Sequence, residues 1–302
     1  MIRQQAFTGK NKMLKGGLHC HTTRSDGKCT PEEVIKLHVK NGYDFLALTD
    51  HRIYNYENFA PETDITIIPG TELDATFEHT NGFRTYHTVC LGENNDSNGY
   101  SQDEEIAVPA CKNQEDFQKV LDDVHAKNNI TFYCHPEWSS TPTRYFDKLQ
   151  GEFAMEVWNS GSVFSHDIDK NAPYWDEMLG LGHKIWGVAV DDGHRITDHC
   201  NGWVMVNSEN NIKSILEALQ NGSFYSSCGP VIKDFYVEDG VAYIEADEGV
   251  TAWFCADKHP TAKVETFDGK ASYKIGDSYE YIRVSVTDKD GKRAWTNPIF
   301  LK

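Results

Sequence analysis

The chain has 302 residues, of which 39% are hydrophobic, 12% aromatic and 25% charged, a composition that excludes a disordered or fibrous protein. This length exceeds one ordinary domain and predicts either one large domain or a large domain followed by a small one. The formal net charge is −17, from 29 Lys and Arg against 46 Asp and Glu, which argues against binding to long nucleic acid or an anionic membrane surface.

The first 15 residues contain no apolar stretch of signal-peptide length, and no uninterrupted apolar run reaches the length of a membrane span. We therefore expect a cytoplasmic protein without a membrane partner. The eight cysteines show no Cys-x-x-Cys spacing, and several lie inside apolar runs. They are expected to be buried thiols in a reducing compartment rather than disulfides or a zinc ribbon.

Apolar runs of strand length recur along the first two-thirds of the chain, at 18–21, 43–49, 65–68, 85–91, 130–134, 153–158, 184–190 and 203–206. Helical or polar stretches separate them, and this alternation predicts an α/β fold with a largely parallel sheet. The first helix is signalled by Thr30-Pro31-Glu32-Glu33, an N-cap followed by proline and a capping-box glutamate. Further helices are predicted over 114–127 and over 212–219.

After Pro230 the pattern changes to short strands joined by hairpin turn signals, at Asp239-Gly240, Asp268-Gly269 and Asp290-Gly291. The chain is therefore predicted to consist of a large domain over residues 1–229 and a small all-β, sandwich-like domain over residues 230–302.

Histidine and acidic residues fall at or just after the ends of the apolar runs. His19 and His21 are two residues apart on an extended segment, so both rings point to one face and can bind one metal ion. The remaining candidates in chain order are Asp26, Asp50, His51, Glu72, His87, His135, Glu156, Asp192 and His194. His79 is an alternative to His87, and placement on a strand favours His87.

Neutral imidazoles combined with carboxylates suit zinc, iron or manganese, and the lack of a cysteine pattern favours a catalytic over a structural site. A carboxylate such as Glu72 can bridge two ions. Paired ions about 3.5–4 Å apart clamp the attacking and leaving oxygens of a phosphoryl group. Such ions would also supply positive charge that this acidic chain lacks.

The segments LHCHTTRSDG, LTDH, PGTE, the His87 strand, CHPE and VDDGH together resemble the PHP (polymerase and histidinol phosphatase) family of metal-dependent phosphoesterases. The resemblance extends from Gly16 to about His194 and favours the stand-alone type of member. It implies a distorted (β/α)7 barrel, followed here by the small C-terminal all-β domain. It also implies a trinuclear metal site at the C-terminal ends of the strands, as is usual for barrel enzymes.

The resemblance implies the following ligand sets, with two or three divalent ions (Zn, Fe or Mn) as cofactors. A first metal would be held by His19, His21, Glu72 and Asp192. Glu72 would bridge to a second metal, held by His87 and His135. The third would be held by Asp26, His51 and His194; many members of the family carry a histidine where this chain has Asp26.

Other residues are predicted to support the metals or the substrate. Asp50 and Glu156 are expected to orient ligand rings rather than bind metal. Arg24 and Arg195 are the first choices for binding a substrate phosphate, because a guanidinium fork matches its oxygens.

The predicted activity is hydrolysis of a small-molecule phosphomonoester by in-line attack of a metal-bound hydroxide, with Asp192 or His194 moving the proton. One alternative is a phosphodiesterase or nuclease acting on short nucleotides. Another is a non-catalytic metal- or ligand-sensing module. The sequence leaves the natural substrate and the oligomeric state open.

Overall fold

The computed structural model describes residues 3–7, 12–77, 84–93, 99–168, 171–257, 259–266 and 268–302, with only the backbone of 259–261. The alternative ligand His79 lies outside these ranges. Within them, no helix combines the length and the apolarity that crossing a membrane requires. The eight cysteines are free thiols, six of them buried and two partly exposed.

Five α-helices occur in the described ranges: α1 Pro31–Lys40, α2 Gln114–Ala126, α3 Ser160–His166, α4 Ala172–Gly180 and α5 Ile212–Gln220. The three predicted helices are confirmed as α1, α2 and α5. Helix α1 begins as its sequence indicated, because Thr30 accepts a hydrogen bond from the Glu33 amide and Glu33 accepts one from the Thr30 amide. A short 3-10 helix follows Pro142.

Helices α3 and α4 were not predicted from the sequence. Helix α3 has only seven residues and no apolar period, and its start is capped by the Asn159 side chain, which accepts from the Ser162 amide. Helix α4 carried a readable signal, since Trp175, Met178 and Leu179 are all buried and follow the i, i+3, i+4 spacing of a helix face.

Nineteen strands are described, namely β1 Gln4–Gln5, β2 Met13–Gly17, β3 Phe45–Leu46, β4 Thr66–Ile67, β5 Gly70–Thr76, β6 Thr85–Gly92, β7 Asn129–Tyr133, β8 Glu152–Asn159, β9 Trp186–Val190, β10 Trp203–Asn207, β11 Phe224–Ser227, β12 Ile232–Glu238, β13 Val241–Ala246, β14 Thr251–Ala256, β15 His259–Glu265, β16 Lys270–Lys274, β17 Tyr281–Thr287, β18 Arg293–Thr296 and β19 Ile299–Phe300.

These strands form three sheets, so the mixed α/β class is confirmed. One sheet has the order β5-β6-β7-β8-β9, a second runs β15-β14-β17-β18-β11-β10-β2-β3-β4 with β19 beside β17, and a third is β1-β12-β13-β16. A closed (β/α)7 barrel is not among the hydrogen-bonded sheets of the described residues. The expectation of a largely parallel sheet is met only in part, because β6 pairs antiparallel with both β5 and β7.

The first two sheets approach each other through isolated bridges just beyond their strands. Cys20 bridges Gly193, and His51 bridges Glu72, both in parallel orientation. The Asp192 amide donates to the His19 carbonyl at 2.9 Å. The polar ends of β2, β3, β5 and β9 are therefore held side by side, and this edge carries the candidate site.

The C-terminal region is all β, but it is not separated from the rest by sheet boundaries. Its apolar core includes Phe235, Ile244, Phe254 and Val284, between strands of the second and third sheets. Strand β18 pairs with β11, so the ten-stranded sheet continues across residue 230. The regions before and after residue 230 thus contribute strands to the same sheet and pack apolar side chains against it.

Close packing between β2 and β3 should make Gly16 intolerant of any side chain. A Cβ atom at Gly16 would lie 1.9 Å from Cζ of Phe45, which is fully buried. We expect Gly16→Ala to lower the free energy of unfolding by about 1–3 kcal/mol through overpacking, measured as the shift of the urea midpoint.

The matched control is Gly180→Ala, where a Cβ would meet no described atom within 4 Å. This change should leave the midpoint unchanged or raise it slightly, because alanine favours the helix by up to about 1 kcal/mol over glycine. Equal midpoints for the two variants would contradict the proposed packing.

Candidate metal centre

Four side chains converge on one point at the joined strand ends. His19 and His21 follow β2, Glu72 lies in β5, and Asp192 follows β9. The Nε2 atoms of His19 and His21 are 3.2 Å apart. Each lies 3.1–3.4 Å from Glu72 Oε2 and from Asp192 Oδ1. All four residues are buried, and their ligand atoms form a group able to hold a metal ion.

The second carboxylate oxygen of Glu72 meets two further imidazoles. Glu72 Oε1 lies 2.8 Å from His87 Nδ1 and 3.3 Å from His135 Nε2. Glu72 therefore contacts different histidines with its two oxygens, which is the arrangement that a bridging carboxylate requires.

A third group lies nearer the surface. Asp26 Oδ1 is 3.4 Å from His194 Nε2 and 3.7 Å from His21 Nδ1, and Asp26 Oδ2 is 3.9 Å from His51 Nε2. His51 also faces inward, with Nδ1 3.1 Å from Glu72 Oε2. The structure thus brings together all nine residues predicted as metal ligands.

The donor atoms fit a bound cation better than a hydrogen-bond network. Glu72 Oε2, Asp192 Oδ1 and His51 Nδ1 are buried and make no hydrogen bond to any described residue. Buried carboxylate oxygens normally have partners, since leaving one unsatisfied costs about 1–3 kcal/mol or more. A divalent ion coordinated by imidazole nitrogens and carboxylate oxygens would satisfy them together.

Neighbouring side chains and backbone groups contact the outward-facing ring nitrogens and so orient the histidine rings toward this centre. His19 Nδ1 lies 2.7 Å from Glu156 Oε1, and His135 Nδ1 lies 3.1 Å from Ser139 Oγ. His194 Nδ1 donates to the Asp192 carbonyl at 2.9 Å. With Nδ1 engaged outward, the Nε2 lone pair is free to face a metal.

The histidines and carboxylates of the cluster strongly shift one another's pKa values. Burial lowers the pKa of His21, but the carboxylates of Asp192 and Glu72 outweigh it and raise that pKa to about 10. Burial raises the pKa of Glu72, and the imidazoles of His19 and His51 lower it well below its usual range. Because ligand imidazoles must be neutral, metal binding here is expected to release protons.

Glu156, predicted to orient ligand rings, contacts two of the candidate ligands. Besides its contact with His19, its Oε2 accepts from the His135 amide and from Asn159 Nδ2. Asn159 Nδ2 also donates to Asp192 Oδ2 at 3.0 Å. Asn159 was missed from the sequence, although its position at the end of the Glu156 strand was a usable signal.

Asp50, also predicted to orient a ligand ring, has other partners. Among the described residues its carboxylate accepts hydrogen bonds from the amide and hydroxyl of Thr22 and from those of Ser25, and none from a ligand ring. Ser25 Oγ lies 3.4 Å from His21 Nδ1. Asp50 therefore orders the loop after His21 and reaches that ring only through Ser25.

The two predicted phosphate-binding arginines are placed differently. Arg24 donates to Asn55 Oδ1 and pairs with Asp103, so its guanidinium is committed to a neighbouring loop. Arg195 lines a cavity of about 370 Å³ that opens onto the metal-binding groups. Lys28, missed from the sequence, lines the same cavity.

Two candidate ligands have unusual backbone conformations. His135 has φ +24° and Asp192 has φ +48°, although neither is glycine. Such conformations cost about 1–3 kcal/mol each and persist where surrounding contacts hold them, which is common at functional sites.

We expect Glu156→Gln to weaken metal binding by about 10–100-fold, because the ring of His19 loses its anionic partner. The measurement is metal titration of the stripped protein by calorimetry. Glu152→Gln, on the same strand, is the matched control. Burial raises the pKa of Glu152 to about 8, so glutamine there resembles the protonated acid. Equal affinities in both variants and the wild type would refute the positioning role of Glu156.

Comparison with known proteins identifies local and overall relatives. A 68-residue segment is 38% identical to a 5'-3' exoribonuclease of Haemophilus influenzae, covering 21% of this chain and 25% of that protein. A 41-residue segment is 44% identical to the DNA polymerase/3'-5' exonuclease PolX of Bacillus subtilis, covering 14% of this chain and 7% of that protein. The chain therefore spans a quarter or less of the length of these relatives.

A solved structure shares the whole fold. It is a two-domain protein from Bacteroides vulgatus containing a predicted PHP-like metal-dependent phosphoesterase, superimposed with a TM-score of 0.50 at 13% identity over 96% of both chains. The PHP domain family profile matches residues 17–167, half of the chain, including the segments from His19 to His135. The chain belongs to the PHP domain family.

Proposed function

We propose that this protein is a metal-dependent phosphoesterase whose substrate is a small-molecule phosphomonoester. The observation that supports this proposal most directly is a pair of buried oxygens without hydrogen-bond partners, Glu72 Oε2 and Asp192 Oδ1. They face the Nε2 atoms of His19 and His21 at 3.1–3.4 Å. Membership of the PHP domain family supports the same conclusion.

Two or three divalent ions, zinc, iron or manganese, fit the donor set. His19, His21, Glu72 and Asp192 would hold one, and Glu72 with His87 and His135 a second. Asp26, His51 and His194 would hold the third. Bound ions of this kind lower the pKa of water and polarise phosphoryl oxygens.

The cavity favours a small substrate. Its volume of about 370 Å³ lies near the lower end of the range for small-molecule sites. Arg195 and Lys28 line it and supply positive charge for a phosphate dianion in a chain of net charge −17. A substrate phosphate at this rim would sit between these cations and the metal-binding groups.

Among the candidate ligands, His194 is best placed to move a proton. Its side chain is 33% exposed, lines the cavity and donates from Nδ1 to the Asp192 carbonyl. The remaining nitrogen, Nε2, faces Asp26 at 3.4 Å. In the form with two ions, which leaves the Asp26 group without one, Nε2 can exchange a proton with the leaving oxygen; with a third ion bound it would be a ligand instead. Asp192 fixes this ring through its backbone while its carboxylate points to the buried group.

A nuclease acting on short nucleotides is the second candidate. The short match to an exoribonuclease favours it, as do Trp138 and His166, which line the cavity with ring centroids 6.3 Å apart. An aromatic surface at this position could stack on a base.

Phosphate release from a panel of monoesters and diesters, including histidinol phosphate, nucleotides and an aryl phosphate, tests the proposal. We expect the Mn²⁺- or Zn²⁺-loaded protein to hydrolyse monoesters, and His19→Ala to reduce the rate to background. His183→Ala, away from the cavity, is the control. Activity confined to diesters would favour the nuclease, and a metal-loaded protein inactive on the whole panel would refute the phosphoesterase assignment.

The two arginines provide a sharper comparison on the best substrate. Arg195→Ala should raise KM about tenfold, the effect of losing one charge-assisted hydrogen bond of about 1.4 kcal/mol. Arg24→Ala should change KM much less, because its guanidinium is engaged by Asn55 and Asp103. A larger KM increase for Arg24→Ala than for Arg195→Ala would contradict the proposal that Arg195, and not Arg24, binds the substrate phosphate.

A further inference from the structure

A second group of ligand-type side chains lies outside the site described above. His38 on α1, Asp191 at the end of β9 and His199 in the following loop are all buried, and their ligand atoms lie within 4.8 Å of one another. Asp191 precedes Asp192 in the chain, but it belongs to this group and not to the groups around Glu72 and Asp26.

The tautomer of His38 leaves a lone pair facing a carboxylate. Its Nδ1 donates to the Val34 carbonyl at 2.8 Å, so Nε2 carries the lone pair in the neutral ring. That Nε2 is fully buried, lies 3.6 Å from Asp191 Oδ2 and has no hydrogen bond to a described residue. A lone pair and a carboxylate oxygen repel each other unless a proton or a cation lies between them.

His199 is unpartnered at both ring nitrogens. It is 4% exposed, and neither Nδ1 nor Nε2 has a hydrogen-bond partner in the part of the chain that the structure describes. Its ring packs against Gly193, where a Cβ atom would lie 2.4 Å from Nδ1. Burial lowers the pKa of His199 to about 4, so the ring is neutral at physiological pH and suited to ligation.

Asp191 completes the donor set. Asp191 Oδ1 accepts from the amides of Asn201 and Gly202, while Oδ2 accepts only from the Cys200 amide and retains a lone pair toward His38. The thiol of Cys200 is not part of the group, because its Sγ points to the Leu37 carbonyl at 4.0 Å. Two imidazoles and one carboxylate oxygen are ligands that zinc takes in proteins, with a water in the fourth position.

We propose that His38, Asp191 and His199 form a second zinc site, separate from the metal centre in the cavity. An ion there would satisfy His38 Nε2 and one nitrogen of His199. It would also tie α1 to the segment that carries Asp192 and His194, and so hold those two residues in place. The alternative is a metal-free imidazolium–carboxylate pair between His38 and Asp191.

Anomalous diffraction from crystals of the Zn²⁺-loaded protein tests this site without relying on activity. We expect a zinc peak within coordination distance of His38 Nε2, Asp191 Oδ2 and one ring nitrogen of His199. His199→Gln should abolish this peak and leave the peaks beside Glu72. His183→Gln, the matched control, should retain all of them.

Metal stoichiometry provides the second readout. His199→Gln should bind one equivalent of Zn²⁺ fewer than the wild type, while His183→Gln should bind the same number. A Zn²⁺-loaded wild-type crystal without an anomalous peak beside His38 and Asp191 would overturn the proposal. Equal stoichiometry in folded His199→Gln and wild type would establish the metal-free pair instead. The wild-type crystal decides the question even if His199→Gln fails to fold.

Discussion

The buried carboxylate of Glu72 is the group around which the candidate site is arranged. Its two oxygens lie 2.8–3.4 Å from ring nitrogens of five histidines: His19, His21, His51, His87 and His135. A carboxylate at this depth is stable only with compensating positive charge and hydrogen bonds. Protons on the imidazoles can supply that charge, but the unsatisfied Glu72 Oε2 indicates cations. Metal binding would then replace protons that the carboxylates hold on these rings.

The sheets explain how residues so distant in sequence surround one carboxylate. Strand ends are brought together by the bridges Cys20–Gly193 and His51–Glu72, which join the sheet of β2 and β3 to the sheet of β5 and β9. The positive φ angles of His135 and Asp192 then turn these residues at the ends of β7 and β9. The proposed zinc site would contact the same strand end through Asp191, the residue before Asp192.

The sequence could place the candidate ligands together because strand ends impose a strong geometric rule. His19 and His21 share a face through the two-residue period, and the other candidates follow or lie in neighbouring strands. Side chains in loops follow no such period. The side chain of Arg24 is oriented by Asp103, which lies 79 residues further along the chain. Lys28 is placed at the cavity by the hydrogen bond from its amide to the His194 carbonyl. Likewise, the antiparallel pairing of β6 with β5 and β7 cannot be read from their apolar runs, which suit parallel neighbours equally well.

Anomalous diffraction from crystals of the Mn²⁺-loaded protein would test the central claim most directly. The account predicts manganese peaks within coordination distance of both carboxylate oxygens of Glu72, one also beside His19, His21 and Asp192 and the other beside His87 and His135. A fully loaded crystal with no anomalous peak beside Glu72, and with hydrogen bonds to protonated imidazoles satisfying its oxygens instead, would contradict the account.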